Sequence, residues 1–237
     1  MTTLATVPLE RVLQRVAAIW GPDAAPHHLV YGQTGSGKTT LIKALLALCP
    51  YERALILDPK PHPDPVWDGP DGDPHQWGRP ITRLDPMFTY PDRDGGGPYR
   101  RWYRLTGSPD RDDTERRFGQ ALDTVAAEGH CVLVLDDVRE MCRQLHLAER
   151  IDSVMNLGRS ASVLVVLAAT ETSYVSGRAQ AGMTWVGSTT GLDAAKAGAA
   201  LLGHSGKEWT QLAGSVEPRQ WIYADSQPDN PAPVLAA

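Results

Sequence analysis

The sequence predicts an α/β fold, a mostly parallel sheet with helices on both faces and one Pro/Gly-rich insert. Three observations carry that prediction. Short apolar runs at 54–57, 131–135 and 163–167 alternate with stretches of helical period, as strands covered on both faces require. Gly32-Gln33-Thr34-Gly35-Ser36-Gly37-Lys38-Thr39 fits G-x-x-x-x-G-K-[ST] at every fixed position, between a β-prone run and a helix-forming run. Asp58, Asp136 and Glu171 each lie just past an apolar run, where an open parallel sheet presents its ligand groups.

Taken in order, Leu9, Val12, Leu13, Val16 and Ile19 recur at spacings of three and four. They predict an amphipathic helix within residues 1–22, packed on the core or on a neighbouring subunit and ended by Gly21-Pro22. His28–Tyr31 reads as the first strand and Thr40–Leu48 as the body of the helix after the glycine loop. Ala54–Leu57 is a second, buried strand. Residues 61–110 are crowded with Pro, Gly and Asp and form the insert. Within it 79–84 and 99–105 read as short strands folding back on the core, and Trp67, Trp77 and Trp102 as packing anchors. Asp112 and Glu115 are spaced to cap a helix whose apolar face is Phe118, Ala121, Leu122, Val125 and Ala126. Cys131–Leu135, Val163–Leu167, Thr184–Gly187 and Gln220–Tyr223 are further strands, with helices at 148–157 and 192–202 between them. Domain limits follow as 1–22 for the first helix, 27–225 for the main domain and 226–237 for a disordered tail.

Composition sets outer limits. At 237 residues with 42 % hydrophobic and 22 % charged content, the chain can bury a full core. Its longest uncharged apolar run, Val163–Ala169, is too short to cross a bilayer. Glu10, Arg11 and Arg15 interrupt the apolar positions of the first twenty residues, so no signal peptide is expected. Three unclustered cysteines give neither a disulfide framework nor a zinc site, and the cytoplasm is the expected location. A net charge of −5 excludes a surface basic all over, though a ring can still concentrate positive charge on one inner face.

The chemistry starts from the glycine loop. Gly35 and Gly37 can adopt backbone conformations closed to other residues, turning successive N–H groups inward as an anion nest. The following helix aims its free amino-terminal donors at the same point. Gly32, Gln33, Thr34, Gly35, Ser36, Gly37, Lys38, Thr39 and Thr40 are therefore the candidate ATP-phosphate set. Within it Lys38 would reach the β- and γ-phosphates and the Thr39 hydroxyl would hold Mg²⁺. Asp136, after five apolar residues, is the candidate second Mg²⁺-side group, acting through a coordinated water. Asp137 is either the carboxylate that polarises the attacking water or a structural cap. As a base it is one methylene shorter than Glu, and it must come within roughly 3 Å of that water.

Together GQTGSGKTT (32–40), LILDPK (55–60), VLVLDD (132–137) and LGRSASVLVVLAATETS (157–173) resemble the FtsK–HerA superfamily of P-loop DNA-pumping ATPases. The resemblance covers about 27–224 and is poor in the insert. It implies a RecA/ASCE-like P-loop NTPase fold, ATP hydrolysis with Mg²⁺, and a homo-oligomeric ring, hexameric in the family's pattern, around double-stranded DNA. It also implies that Arg159 is an arginine finger for the neighbouring subunit's γ-phosphate. Glu171 falls where the family has a polar Gln sensor, and its charge departs from that pattern. The chain's size resembles the compact packaging ATPases of membrane-containing viruses, with capsid or portal proteins as further partners and host cytoplasm or virion as location. Conjugation or secretion motors of the same superfamily, and a nucleotide switch with little turnover, are the alternatives. Arg100, Arg101 and Arg104, or Arg139 and Arg143, are candidate DNA-phosphate contacts.

Overall fold

The computed structural model describes residues 4–20, 26–49, 51, 53–61, 67, 79–81, 101–158, 160–170, 181–189, 211–212, 215–225 and 233–237. The first half of the chain contributes β1 (Ala5–Val7), α1 (Leu9–Ile19), β2 (His27–Tyr31), α2 (Lys38–Leu48), β3 (Arg53–Asp58), β4 (Arg79–Ile81) and β5 (Arg101–Thr106). Then come α3 (Arg111–Glu128), β6 (Cys131–Leu135), α4 (Val138–Arg143), α5 (Ala148–Leu157), β7 (Val163–Ala169), β8 (Ala181–Val186), β9 (Trp221–Asp225) and β10 (Val234–Ala236). The ten strands among the described residues join one sheet in the order β1-β10-β9-β8-β2-β7-β6-β3-β5-β4. Every neighbouring pair runs parallel except the two that involve β9. The expected α/β class, mostly parallel with helices on both faces, is the observed one.

Strand alternation sorts the core into two layers. Leu55, Leu57, Leu133, Leu135, Val165 and Leu167 point to one face, where Phe118, Leu122 and Val125 of α3, Met141 of α4 and Ile151 of α5 cover them. Ala54, Ile56, Val132, Val134, Leu164 and Val166 point to the other, under Leu41, Ile42 and Leu45 of α2 and Val12 and Val16 of α1. The amphipathic face foreseen for the first helix thus packs on the core: Val12 and Val16 are buried, with Leu9, Leu13 and Ile19 at the margin.

Four expectations change. Residues 234–236 of the tail are not disordered: β10 pairs antiparallel with β9 and parallel with β1. Backbone pairing along an open strand edge needs no long apolar run, which is why Pro- and Ala-rich composition misled. The cap of α3 is Asp110, whose side chain accepts from the Asp112 N–H, so Asp112 lies in the first turn. A short helix, α4, follows Asp137 where no element was expected. Arg104 is 1 % exposed and shares the α2 face with Trp102 on β5, so it is no DNA-facing side chain. Trp67 and Trp102 are buried, as packing anchors should be. Most of the insert, including Trp77 and Arg100, and the helix expected at 192–202 lie outside the described residues.

Candidate functional site

A pocket of about 660 Å³ opens at the carboxyl edge of the sheet. It is lined by Thr34, Gly35, Gly37, Lys38, Thr39 and Thr40 from the glycine loop and α2, with Lys60, Asp136, Asp137, Ala168, Thr170, Pro218 and Arg219 around them. The loop leaves β2 anchored on both sides, the Gly32 N–H on the Ala169 carbonyl and the Gln33 N–H on the Ser188 carbonyl. Gly35 and Gly37 take φ of 84° and 95°, the left-handed region that costs other residues about 1–2 kcal/mol. Gly37 caps α2 without a side-chain bond, leaving the first amides of the helix directed into the pocket. The Lys38 ammonium donates to the carbonyls of Gly32 (2.8 Å) and Gln33 (3.0 Å). Burial lowers its pKa, and Asp136 and Asp137 partly restore it.

Opposite lie the carboxylates. The Asp136 N–H donates to the Leu57 carbonyl (3.0 Å), which fixes the end of β6 beside the end of β3. Its Oδ2 accepts from Trp67 Nε1 at 3.2 Å. Burial raises the Asp136 pKa against the pull of Lys60 and this indole hydrogen bond. Asp58 is fully buried and pushed up to about 6, first by burial and then by Asp136. Its Oδ1 accepts from the Lys60 N–H (3.2 Å), while Oδ2 has no hydrogen-bond partner among the described residues. The turn that places Asp58 and Lys60 is held by Gly107, whose N–H lies 2.8 Å from the Asp58 carbonyl and 3.0 Å from that of Lys60. A Cβ at Gly107 would stand 2.1 Å from the Pro59 carbonyl oxygen, so no larger residue fits. Asp137 adopts φ 63°, ψ 66° and caps α4, Oδ1 accepting from the Glu140 N–H at 3.3 Å. The cap role therefore holds for one oxygen, and the residue still lines the pocket.

Thr34, Gly35, Gly37, Lys38, Thr39, Thr40, Asp136 and Asp137 thus surround one space, while Gly32, Gln33 and Ser36 of the glycine loop do not line it. Arg159 and Glu171 lie outside the described residues; their neighbours Gly158 and Thr170 end α5 and line the pocket, respectively. Lys60, Trp67 and Arg219 are among the lining or supporting residues that escaped the sequence reading of the site. Lys60 was legible in principle, being two residues past a strand-end aspartate. Trp67, in the insert, and Arg219, some 180 residues from the glycine loop, gave no local signal. The donor set suits a nucleotide with a hard divalent cation: inward amides and an ammonium for phosphate, and a hydroxyl and a carboxylate for Mg²⁺. Beside the pocket, Ser36 Oγ and Asp58 Oδ2 are buried with no hydrogen-bond partner among the described residues.

No protein-family model and no curated protein matches the chain. Solved structures do. The genome-packaging NTPase B204 from Sulfolobus turreted icosahedral virus 2, in complex with sulfate, superposes over 92 % of this chain and 98 % of its own, at TM-score 0.62 and 16 % identity. The pCW3 conjugation coupling protein TcpA, with ATPγS, matches 90 % of this chain and 59 % of its own, at 0.53 and 14 %. EssC (ATPases 2 and 3) from Geobacillus thermodenitrificans matches 89 % and 39 %, at 0.52 and 10 %. The chain therefore shares its α/β P-loop fold with a packaging NTPase, a conjugation coupling protein and the EssC ATPases.

Proposed function

We propose that the chain is an Mg²⁺-dependent ATPase that works as a homo-oligomeric ring, hexameric by analogy, and translocates double-stranded DNA. Viral genome packaging is the setting we infer, with capsid or portal proteins as partners and host cytoplasm or virion as location. One observation carries the reading: Lys38, Thr39, Asp136 and Asp137 line a single pocket in a fold shared with a packaging NTPase along nearly its whole length.

In this reading the glycine-loop amides and Lys38 bind the triphosphate. The ammonium exchanges its carbonyl partners for β- and γ-oxygens, a charge-assisted and therefore stronger bond. Thr39 and Asp136 would hold Mg²⁺, which supplies neutralising charge on the phosphates. Trp67 donates to Oδ2 of Asp136 and would hold that carboxylate in place. Asp137 orients and deprotonates the attacking water while α4 holds its backbone, and its short side chain implies slow turnover. Arg159 acts across the subunit boundary as a finger, and Glu171 is the sensor, neutralised by protonation or pairing. Arg139 and Arg143 are the remaining DNA-phosphate candidates with described side chains.

The test is ATP turnover with and without linear double-stranded DNA. At least a threefold stimulation is expected. Turnover that DNA leaves unchanged removes the motor and leaves an ATPase or switch. Arg159→Ala protein that assembles and binds ATPγS but does not hydrolyse ATP would support the finger, whereas normal turnover would remove it. A second reading, conjugative transfer or secretion, draws on the fold likeness to TcpA and EssC. A neighbouring gene encoding a capsid protein would decide for packaging.

A further inference from the structure

The pocket has a wall that the motifs leave without a role. β9 runs antiparallel to β8, so the segment entering β9 reaches the same sheet edge as the carboxyl ends of the parallel strands. In the order β9-β8-β2-β7-β6, β9 and β6 stand two places to either side of the glycine-loop strand, each about 10 Å away. The β6 side holds Asp136 and Asp137, the groups for metal and attacking water. A nucleotide seated by its phosphates on the central loop, with its terminal phosphate toward β6, directs its nucleoside toward β9. Pro218 and Arg219 line the pocket there.

Arg219 is held in an unusual way. Its φ is 70°, a conformation that costs a non-glycine residue about 1–3 kcal/mol and persists where surrounding structure enforces it. Of the five non-glycine residues at positive φ among the described residues, Asp137 and Arg219 are the two that line this pocket. The turn is closed by the Gln220 N–H on the Glu217 carbonyl (3.0 Å) and the Glu217 N–H on Gln220 Oε1 (3.0 Å). Trp221, 2 % exposed, anchors the strand that follows. The Arg219 stem lies along the phosphate loop: its Cγ is 3.7 Å from where a Gly37 Cβ would stand. The side chain is exposed and takes part in none of the ion pairs among the described residues.

We propose that Pro218 and Arg219 form the nucleoside subsite of this pocket, the guanidinium plane of Arg219 stacking on the base. This rests on the nucleotide reading given above. An apolar ring beside a planar cation suits a flat aromatic heterocycle better than it suits a phosphate alone. Stacking reads a π-face and not a base edge, so the subsite favours purines without choosing between adenine and guanine.

Calorimetric titration of wild type, Arg219→Ala, Arg219→Lys and Arg219→Gly with ADP, GDP and inorganic tripolyphosphate tests this. Arg219→Ala should bind ADP and GDP about tenfold more weakly and tripolyphosphate within twofold of wild type. Arg219→Lys should resemble Arg219→Ala, since an ammonium has no plane. Arg219→Gly should lose the same affinity while melting no lower than wild type, because glycine tolerates the positive φ; this separates binding from folding. Unchanged ADP affinity in Arg219→Ala overturns the subsite and leaves the nucleotide reading standing. So does an equal loss for tripolyphosphate that Arg219→Lys restores, which assigns the arginine to phosphate. A wild type that binds none of the three overturns the nucleotide reading and the subsite with it.

Discussion

The two ends of the sheet treat buried polarity in opposite ways. At the amino end of β2, His27 and His28 are fully buried and meet partners from their own chain. His27 Nδ1 accepts from the Val165 N–H (3.2 Å), and Nε2 lies 3.0 Å from the Met155 carbonyl. His28 sits between the indole N–H groups of Trp20 (3.0 Å) and Trp185 (3.1 Å). At the carboxyl end Asp58 is equally buried, yet one of its oxygens has no hydrogen-bond partner among the described residues, and Asp136 keeps a carboxylate pushed toward protonation. A polar group closed off by its own fold specifies structure. One left open costs stability and supplies binding capacity.

The largest expected effect breaks that contrast at the open end. Lys38→Ala should weaken ATPγS binding at least a hundredfold by calorimetry, with a melting temperature no lower than wild type, since a desolvated ammonium is removed. A matching fall in stability would mean that Lys38 serves the fold instead. Asp137→Ala should lower ATP turnover about a hundredfold while changing ATPγS affinity less than threefold. Residual capping loss should cost about 1 kcal/mol in denaturant titration.

At the closed end the prediction reverses. His28→Ala should cost about 3 kcal/mol of unfolding free energy, from the cavity and the indole N–H that loses its acceptor. Nucleotide affinity of the folded protein should stay within threefold of wild type. Protonation should act in the same direction. Burial, with His27 alongside, lowers the His28 pKa to about 3, so the unfolded chain binds the proton first. Stability from this group is complete above pH 6.5 and lost progressively as pH falls toward 3.

Asp58 gives the opposite slope. Its pKa of about 6 lies above the ordinary 3.8, so the native state binds more protons in between and stability falls as pH rises through that window. Asp58→Asn should therefore gain about 1–2 kcal/mol above pH 6, and nothing below pH 4. The variant should also steepen the acid loss assigned to His28. A melting series from pH 4 to 7 in which the gap between variant and wild type stays constant would remove the contrast.

Legibility in the sequence followed the same division. The strands β3, β6 and β7 and the helices α3 and α5 were readable because both faces of each strand are apolar and helical periods survive over ten residues or more. The glycine loop, Asp136 and Asp137 were readable because one parallel edge gathers whatever follows each strand. Arg104 was misread, since an arginine suggests a solvated face. It lies inside because strand alternation puts it with Trp102, and Asp58, whose charge it stabilises, is two strand positions from its partner Ile56. Arg219 was invisible for a different reason: the direction of β9 decides which edge its loop reaches, and no residue in that strand encodes direction by itself.

The pairing of β1 with β10 ties the first helix to residues more than two hundred positions away. Pro8 offers α1 no side-chain cap, and the Leu9 N–H is taken by the Ala237 oxygen at 2.9 Å, while the Ala237 N–H returns to the Val7 carbonyl at 3.1 Å. Shortening the chain by these few closing residues would thus unfasten β1, bare the outer edge of β9 and loosen the mooring of α1. Damage at β10 would then be felt at β1 and α1.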